Sequence, residues 1–288
     1  MSPDLPASVR ARLLNLAKAE GSNFQSVLVR YALERFLYRL SQSAHADHFV
    51  LKGALLFALW YDMPHRPTRD ADLLGFGPSD LASIHQVFLD IAQVAVADGI
   101  VFDPLSISVE EIRHDAAYAG ARVTLTAELA RARCKTQVDI GFGDAITPGP
   151  VPARYPVLLA DFPSPQLRTY PVYTVVAEKL HAIAVLGMGN TRLKDYFDLQ
   201  VLLTRETLDP GVLAQAIAAT FERRGTVVTT AWPTGLSDEF GHDATRQALW
   251  RAFLKKNELA DGLPLPELVA QLRAHLAPVW RRCHAPAL

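Results

Sequence analysis

The segments HFVLKGA (residues 48–54) and TRDADLL (residues 68–74) establish the architecture of this chain. The first predicts a short apolar strand over 48–51, followed by a glycine turn and a helix. The second predicts a strand over 69–75 that carries Asp70 and Asp72. Because side chains alternate along a strand, these two carboxylates project from one face, roughly 7 Å apart at their Cα atoms. Carboxylates this close favour a shared proton or a shared cation.

The pair Asp70 and Asp72 has the ligand chemistry that Mg²⁺ prefers, because this ion takes carboxylate oxygens, waters and substrate phosphates. The turn at Lys52, Gly53 and Ala54 stands where a helix begins, and the backbone N–H groups and dipole of a helix start favour a phosphate. The two features together predict a nucleotide site. A solvated surface pair is the alternative, and the apolar residues that follow Asp72 directly argue against it.

Asp139 is a candidate third carboxylate. It lies between two apolar residues in a strand predicted over 135–141, so it faces away from the layer in which those residues pack. If this strand pairs with the strand of Asp70 and Asp72, three carboxylates converge. That number is sufficient for a two-metal phosphoryl-transfer centre.

The composition is typical of a globular protein, with 288 residues of which half are apolar and 20% are charged. No apolar run approaches the length of a membrane span and no signal-peptide pattern opens the chain, so we expect no membrane partner. The cysteines, Cys134 and Cys283, match no metal motif, and we expect a reducing cytoplasm. The net charge of −1 argues against a general nucleic-acid binder. Residues 1–69 nevertheless hold nine Lys/Arg against five Asp/Glu, a surplus that favours polyanions.

The order of helical and strand patterns predicts an α+β fold with a mixed sheet. Two amphipathic helices are predicted over 8–19 and 23–41, and a proline-dense stretch from Pro148 to Pro171 precedes a mostly helical sequence. We therefore predict an N-terminal helical cap over 1–45, a core over 46–165 and a helical lobe over 166–288 that completes the active site. The other helices are predicted over 54–61, 79–97, 173–187, 191–204, 209–223, 237–257 and 264–280, and the other strands over 106–112 and 120–129.

A second group of charged residues lies in the helical part. Glu178 and Lys179 are flanked by apolar residues in one predicted helix, and Asp195 and Asp198 follow in the next. A structural role predicts a buried partnership of Glu178 with Lys179 and an i,i+4 ion pair between Lys194 and Asp198. A functional role predicts that Lys179 reaches a triphosphate as a point charge, while Asp195 or Asp198 orients or activates the attacking group.

Four motifs occur in order over about residues 45–205: the strand–glycine–helix unit, the Asp-x-Asp pair, the Glu178-Lys179 helix and the segment Arg192-x-Lys194-Asp195-x-x-Asp198. Together they resemble the AbiEii/AbiGii abortive-infection toxins, which are nucleotidyltransferases of the polymerase-β superfamily. The resemblance implies a polymerase-β-like nucleotidyltransferase core and a bacterial toxin–antitoxin system for phage defence, with a cognate antitoxin. Ala54 departs from the pattern, because superfamily members often have Ser at this position.

The resemblance also implies the chemistry, which is Mg²⁺-dependent transfer of NMP from an NTP to an acceptor, with tRNA 3′ ends as known targets. The candidate catalytic residues are Asp70, Asp72, Asp139, Lys179, Asp195 and Asp198. The resemblance implies all of them except Asp139, which the strand pattern adds, and the first three are the expected metal ligands. The implied nucleotide-binding residues are Lys52, Gly53, Ala54, Thr68, Arg69, Lys179 and Lys194. The expected RNA contacts of the helical lobe are Arg223, Arg224, Arg251, Lys255 and Lys256. The alternatives are another Mg²⁺-dependent phosphotransferase on the same carboxylates and a catalytically decayed interaction protein.

Overall fold

The computed structural model describes residues 4–61, 70–115, 118–259 and 262–284. The chain forms two compact units, which are called unit 1 (residues 1–143 and 151–169) and unit 2 (residues 144–150 and 170–288). The two N-terminal helices lie within unit 1. The division of the chain at residues 45 and 165 stays a prediction.

Unit 1 is built on one seven-stranded sheet. Its helices are α1 (Leu5–Ala19), α2 (Phe24–Gln42), α3 (Leu55–Tyr61) and α4 (Leu81–Ala92). Its strands are β1 (Phe49–Lys52), β2 (Asp70–Gly75), β3 (Ile100–Asp115), β4 (Tyr118–Leu129), β5 (Ala132–Phe142), β6 (Val151–Arg154) and β7 (Gln166–Thr169). The strand order is β3-β4-β5-β2-β1-β7-β6. Strands β2 and β5 are parallel, as are β1 and β7, while the other neighbours are antiparallel. The predicted α+β fold with a mixed sheet is therefore confirmed.

Helix α2 is the central helix of unit 1. Its N-terminus is capped by Asn23, whose Oδ1 accepts a hydrogen bond of 2.7 Å from the N–H of Gln25. The helix packs against α1, α4, β5 and β7. Strand β2 is the middle strand of the sheet, and its apolar residues Ala71 and Leu73 are buried. Because side chains alternate, the polar residues of β2 project from the opposite face.

Two strands are absent from the sequence prediction, because β6 and β7 lie inside the proline-dense stretch. Pro152 fits within β6 because this strand is at the edge of the sheet and pairs with β7 alone among the described strands. The single helix expected over 237–257 is two helices. The break falls at Asp243, whose side chain accepts a hydrogen bond of 2.8 Å from the N–H of Arg246 and thereby caps the second helix.

Unit 2 is helical, as expected for the second half of the chain. Its helices are α5 (Val172–Leu186), α6 (Leu193–Arg205), α7 (Pro210–Arg223), α8 (Asp238–His242), α9 (Ala244–Lys256) and α10 (Leu265–Arg282). In the part of the chain that is described, one stretch, Val172–Gly189, is long and apolar enough to cross a membrane by length and composition. This stretch contains α5, which packs against α6 and α7. A buried core helix can have the same length and the same apolar composition.

A group of buried charges lies along α2. Glu34 is 3% exposed, and one of its carboxylate oxygens accepts a hydrogen bond of 2.6 Å from the N–H of Leu158. Burial raises the pKa of Glu34 to about 7. The neighbouring Arg35 and the Leu158 N–H act in the opposite direction, whereas Asp98, which is ion-paired with Arg39, raises this pKa further. The carboxyl group therefore favours its neutral form in the folded state.

The contribution of Glu34 to the stability of unit 1 should fall as the pH rises from about 4.5 to about 7, because the unfolded state loses the Glu34 proton first. Glu34→Gln has no such proton to lose, so its free energy of unfolding relative to that of the wild type should rise by up to about 3 kcal/mol between pH 4 and pH 8. Denaturant titrations of both proteins at several pH values measure this difference. A difference that is the same at pH 4 and pH 8 would contradict the raised pKa.

Candidate active site

One row of charged residues crosses five strands of the sheet. The strand register aligns Lys52 of β1 with Asp72 of β2, and Asp72 with Asp139 of β5. It continues from Asp139 to Arg122 of β4, and from Arg122 to Glu110 of β3. Residues aligned in this way share a face of the sheet, and these five are called the charged row. The pairing of β2 with β5, on which the convergence of Asp70, Asp72 and Asp139 depends, is thus present.

Asp70 lies two residues before Asp72 on the same strand face, beside the charged row. Its register partner on β5 is Gln137. Asp70 and Asp72 are both partly exposed, whereas Ala71 between them is fully buried. The sheet thus holds two neighbouring carboxylates on the face away from the buried apolar residues, as the alternating pattern predicts.

The glycine turn lies directly against Asp72. Gly53 has a φ of +75°, a conformation that favours glycine. A Cβ atom at this position would lie 1.9 Å from Oδ2 of Asp72 and 2.8 Å from its Cβ. The close approach of the turn to the carboxylate therefore requires glycine at position 53. Helix α3 begins two residues later, at Leu55.

Asp139 is held by two neighbouring side chains. The Nε and Nη2 atoms of Arg122 donate to its two carboxylate oxygens at 2.9 and 2.8 Å, and Nε2 of Gln137 donates to one of them at 3.0 Å. The Asp139 side chain is 6% exposed and the Arg122 side chain is 34% exposed. Both partners are absent from the sequence prediction. Arg122 is a single charge in an alternating strand, and its partner on β5 becomes apparent only when the register is known.

The donor set at Asp70 and Asp72 fits Mg²⁺. Both side chains carry carboxylate oxygens, and the turn at Gly53 lies against one of them. Within the described residues, no three His, Cys, Asp or Glu side chains lie close enough together to hold a metal ion. Mg²⁺ commonly takes one or two protein carboxylates and fills its shell with water and substrate phosphate. The role of Asp139 as a third ligand stays a prediction.

The predicted residues of unit 2 form a buried ionic cluster. Nζ of Lys179 on α5 lies 3.2 Å from Oδ1 of Asp195 and 2.6 Å from Oδ2 of Asp198, both on α6. Asp195 also accepts a hydrogen bond of 2.8 Å from Nε of Arg192. The side chains of Asp195 and Asp198 are 1% and 0% exposed. These contacts match the structural role, but with aspartates of α6 as the partners of Lys179. Catalytic roles for Lys179, Asp195 and Asp198 stay predictions.

Two expectations about ion pairs in unit 2 need correction. Lys194 is exposed and Asp198 is buried, and no ion pair joins these two described residues. Arg224, expected as an RNA contact, is 16% exposed and pairs with Glu178 at 3.0 Å and with Asp144 at 3.2 Å. The other expected RNA contacts are exposed: Arg223, Arg251, Lys255 and Lys256. The predicted nucleotide contacts Thr68 and Arg69 lie outside the described residues.

Comparisons with known proteins identify the class of this fold and the family of this chain. The structure of JHP933 from Helicobacter pylori matches with a TM-score of 0.53 and 15% identity, over 91% of this chain and 94% of that one. A second H. pylori structure has a TM-score of 0.49 and 15% identity, over 91% of this chain and 97% of that one. No curated protein matches the sequence. The family model of the AbiEii nucleotidyl transferase toxins of type IV toxin–antitoxin systems matches residues 35–274.

The chain therefore belongs to the AbiEii nucleotidyl transferase toxin family. Its enzyme class is nucleotidyltransferase, and the family places it in a toxin–antitoxin system with an antitoxin as its counterpart. The resemblance that the four motifs indicated is confirmed.

Gly53→Ala should destabilise the protein more than Gly21→Ala. Both glycines have positive φ, and alanine there costs about 1–2 kcal/mol. A Cβ at Gly21 meets nothing within 4 Å, whereas at Gly53 it collides with Asp72. We expect about 1 kcal/mol or more of additional destabilisation for Gly53→Ala, measured by denaturant titration. Equal losses for the two variants would show that Asp72 does not approach the turn this closely.

Lys179→Ala should lower the free energy of unfolding by about 3–5 kcal/mol, because it removes the ammonium group from the buried Asp198 and leaves the buried Asp195 with Arg192. Lys194→Ala is the matched control, since its side chain is exposed on the adjoining helix, and its effect should stay within about 0.5 kcal/mol. Denaturant titration and NTP titration of both variants check this. Wild-type stability with weakened NTP affinity in Lys179→Ala would instead support the functional role.

Proposed function

We propose that this protein uses Mg²⁺ to transfer NMP from an NTP to an acceptor, and that the acceptor is an RNA end such as the 3′ end of a tRNA. The observation that carries the proposal is the placement of Asp70 and Asp72 on one strand face, with Gly53 against the carboxylate of Asp72. This arrangement suits a triphosphate held between a metal and a backbone turn. Membership in a nucleotidyl transferase family supports the reaction class.

Asp70 and Asp72 would hold the metal in this reaction. Bound Mg²⁺ supplies charge neutralisation at the triphosphate and activates the attacking hydroxyl. Lys52 shares a face with Asp72 through the register of β1 and β2, and its cation favours the polyphosphate leaving group. The backbone of the turn at Gly53 and Ala54 is the proposed phosphate cradle, and it requires no hydroxyl from residue 54.

The acceptor is proposed from chemistry and from charge. A hydroxyl at an RNA end attacks the α-phosphorus and pyrophosphate leaves, so the acceptor must carry a free hydroxyl. The exposed basic residues of unit 2, among them Arg251, Lys255 and Lys256, are suited to RNA phosphates. Arg224 is not one of them, because its guanidinium is engaged by Glu178 and Asp144. We place the reaction in the cytoplasm, where NTPs and tRNA are found.

Incubation of the protein with a tRNA pool, Mg²⁺ and NTP labelled at the α-phosphate should yield labelled RNA. Asp70→Asn and Asp72→Asn should each lower this transfer by about 10²-fold or more, since a neutral amide ligates Mg²⁺ poorly. Asp103→Asn is the control. Asp103 is an exposed residue of β3 that bonds the N–H of Leu105, and asparagine can keep that bond.

The position of the label separates the alternatives. In a parallel incubation with NTP labelled at the γ-phosphate, labelled RNA would indicate another phosphotransferase. RNA that takes label from neither NTP would indicate a decayed site. Melting curves of the two aspartate variants complete the test. They should match or exceed the wild type, because each change relieves repulsion between carboxylates.

A further inference from the structure

The Arg122–Asp139 pair differs from a surface ion pair in its geometry. Two parallel hydrogen bonds of 2.9 and 2.8 Å fix the guanidinium and the carboxylate in one plane. Gln137 adds a third bond to the same carboxylate. Because Asp139 is nearly enclosed while Arg122 is one-third exposed, the pair anchors the arginine and leaves part of its guanidinium open to solvent.

This geometry does not favour a metal at Asp139. Both of its oxygens already accept bonds from a cation, and a Mg²⁺ ion bound there would lie beside the positive charge of Arg122. Mg²⁺ also demands a nearly ideal octahedral shell, which a carboxylate fixed by three donors adapts to poorly. The same geometry leaves donors available on Arg122. Of the five N–H groups of a guanidinium, Asp139 takes two, and Nη1 makes no hydrogen bond to the described residues.

We propose that Arg122 contacts a phosphate group of the substrate beside Asp70 and Asp72, and that Asp139 is the positioning residue that holds Arg122 for this contact. The inference rests on the proposed nucleotidyl transfer and deepens it. The register places Arg122 on the same sheet face as Asp72, with Asp139 between them. An arginine fixed in advance by a carboxylate loses little further freedom when it binds phosphate.

The electrostatic surroundings of Arg122 agree with this placement. The hydrogen bond and charge of Asp139 raise the pKa of Arg122, and Glu110 and Asp70 raise it further. Asp70 is thus one of the carboxylates that act on the guanidinium of Arg122.

The two roles of Asp139 predict different results for Asp139→Asn. A metal ligand, when neutralised, weakens the affinity for the divalent ion. Neutralising a positioning residue leaves that affinity unchanged. It lowers the activity in the same way as the removal of Arg122, but to a smaller extent. A double variant then adds little to Arg122→Ala, because residues that act as a unit have non-additive effects.

The experiment uses the full chain and the variants Arg122→Ala, Arg122→Lys, Asp139→Asn and Arg122→Ala/Asp139→Asn. The control is Arg133→Ala, which removes the arginine of another carboxylate pair on strands β4 and β5, with Glu128. Arg133 is 74% exposed and lies outside the charged row. Transfer of the α-label is measured against NTP and against tRNA concentration. Mn²⁺ binding, followed by electron paramagnetic resonance, provides a readout that does not depend on activity.

We expect Arg122→Ala to lower kcat/KM by about 10²-fold, Asp139→Asn to lower it less, and the double variant to match Arg122→Ala. Arg122→Lys should retain part of the activity, because lysine keeps the charge and loses the bidentate geometry. Mn²⁺ affinity should not fall in any of these variants. If KM rises for NTP, the phosphate belongs to the nucleotide, and if KM rises for tRNA, it belongs to the acceptor.

Unchanged kcat/KM in Arg122→Ala, or a tenfold loss of Mn²⁺ affinity confined to Asp139→Asn, would overturn the proposal. Should Arg122→Ala fail to fold, Arg122→Lys with wild-type kcat/KM and KM would overturn it equally. No transfer by the wild type would refute the proposed function and this role of Arg122 with it. Transfer by the wild type that is insensitive to Arg122 would refute the role of Arg122 alone.

Discussion

The candidate active site of unit 1 depends on the register of β2 between β1 and β5. This register aligns Asp72 with Lys52 on one side and with Asp139 on the other. A slip by one residue would turn the carboxylates of β2 into the core and would expose Leu73, which is 1% exposed. Burial of the apolar residues therefore positions the charged ones, and the free energy that favours this register comes from the hydrophobic face of the strand rather than from the site itself.

The sequence predicts those parts of the structure that depend on local periodicity. The alternation in β2 and β5 places Asp70, Asp72 and Asp139 on one face, and the helical periodicity locates α5 and α6 to within a few residues. It does not predict β6 and β7, because prolines are atypical of strands other than edge strands. The parallel partner of β7, which is β1, is also far away in the chain. The partners of charged residues are also unpredictable from spacing. Lys179 pairs across helices, and the nearby Lys194 does not pair with Asp198.

Ion pairs in unit 2 show why charged residues of a motif require a stability measurement beside every activity measurement. Lys179 with Asp195 and Asp198 forms one cluster, and Arg224 with Glu178 and Asp144 forms another. Removing Lys179 leaves the aspartates of its cluster buried and charged, which costs more than the pair contributed. A variant at Lys179 can therefore lose activity through unfolding alone.

The charge balance of the sheet face gives a physical reason for a cation at Asp70 and Asp72. The charged row contains three carboxylates and two cations, and Asp70 beside it brings the formal charge of the group to −2. The bidentate bond between Arg122 and Asp139 makes a neutral pair within the row, and the remaining members of the group are Lys52 and the carboxylates of Asp70, Asp72 and Glu110. The proposed Mg²⁺ would offset negative charge at Asp70 and Asp72, and the proposed phosphate contacts Lys52 and Arg122 lie on either side of these carboxylates along the row. The repulsion between the two carboxylates on β2 is thus the physical basis of the proposed metal and phosphate site.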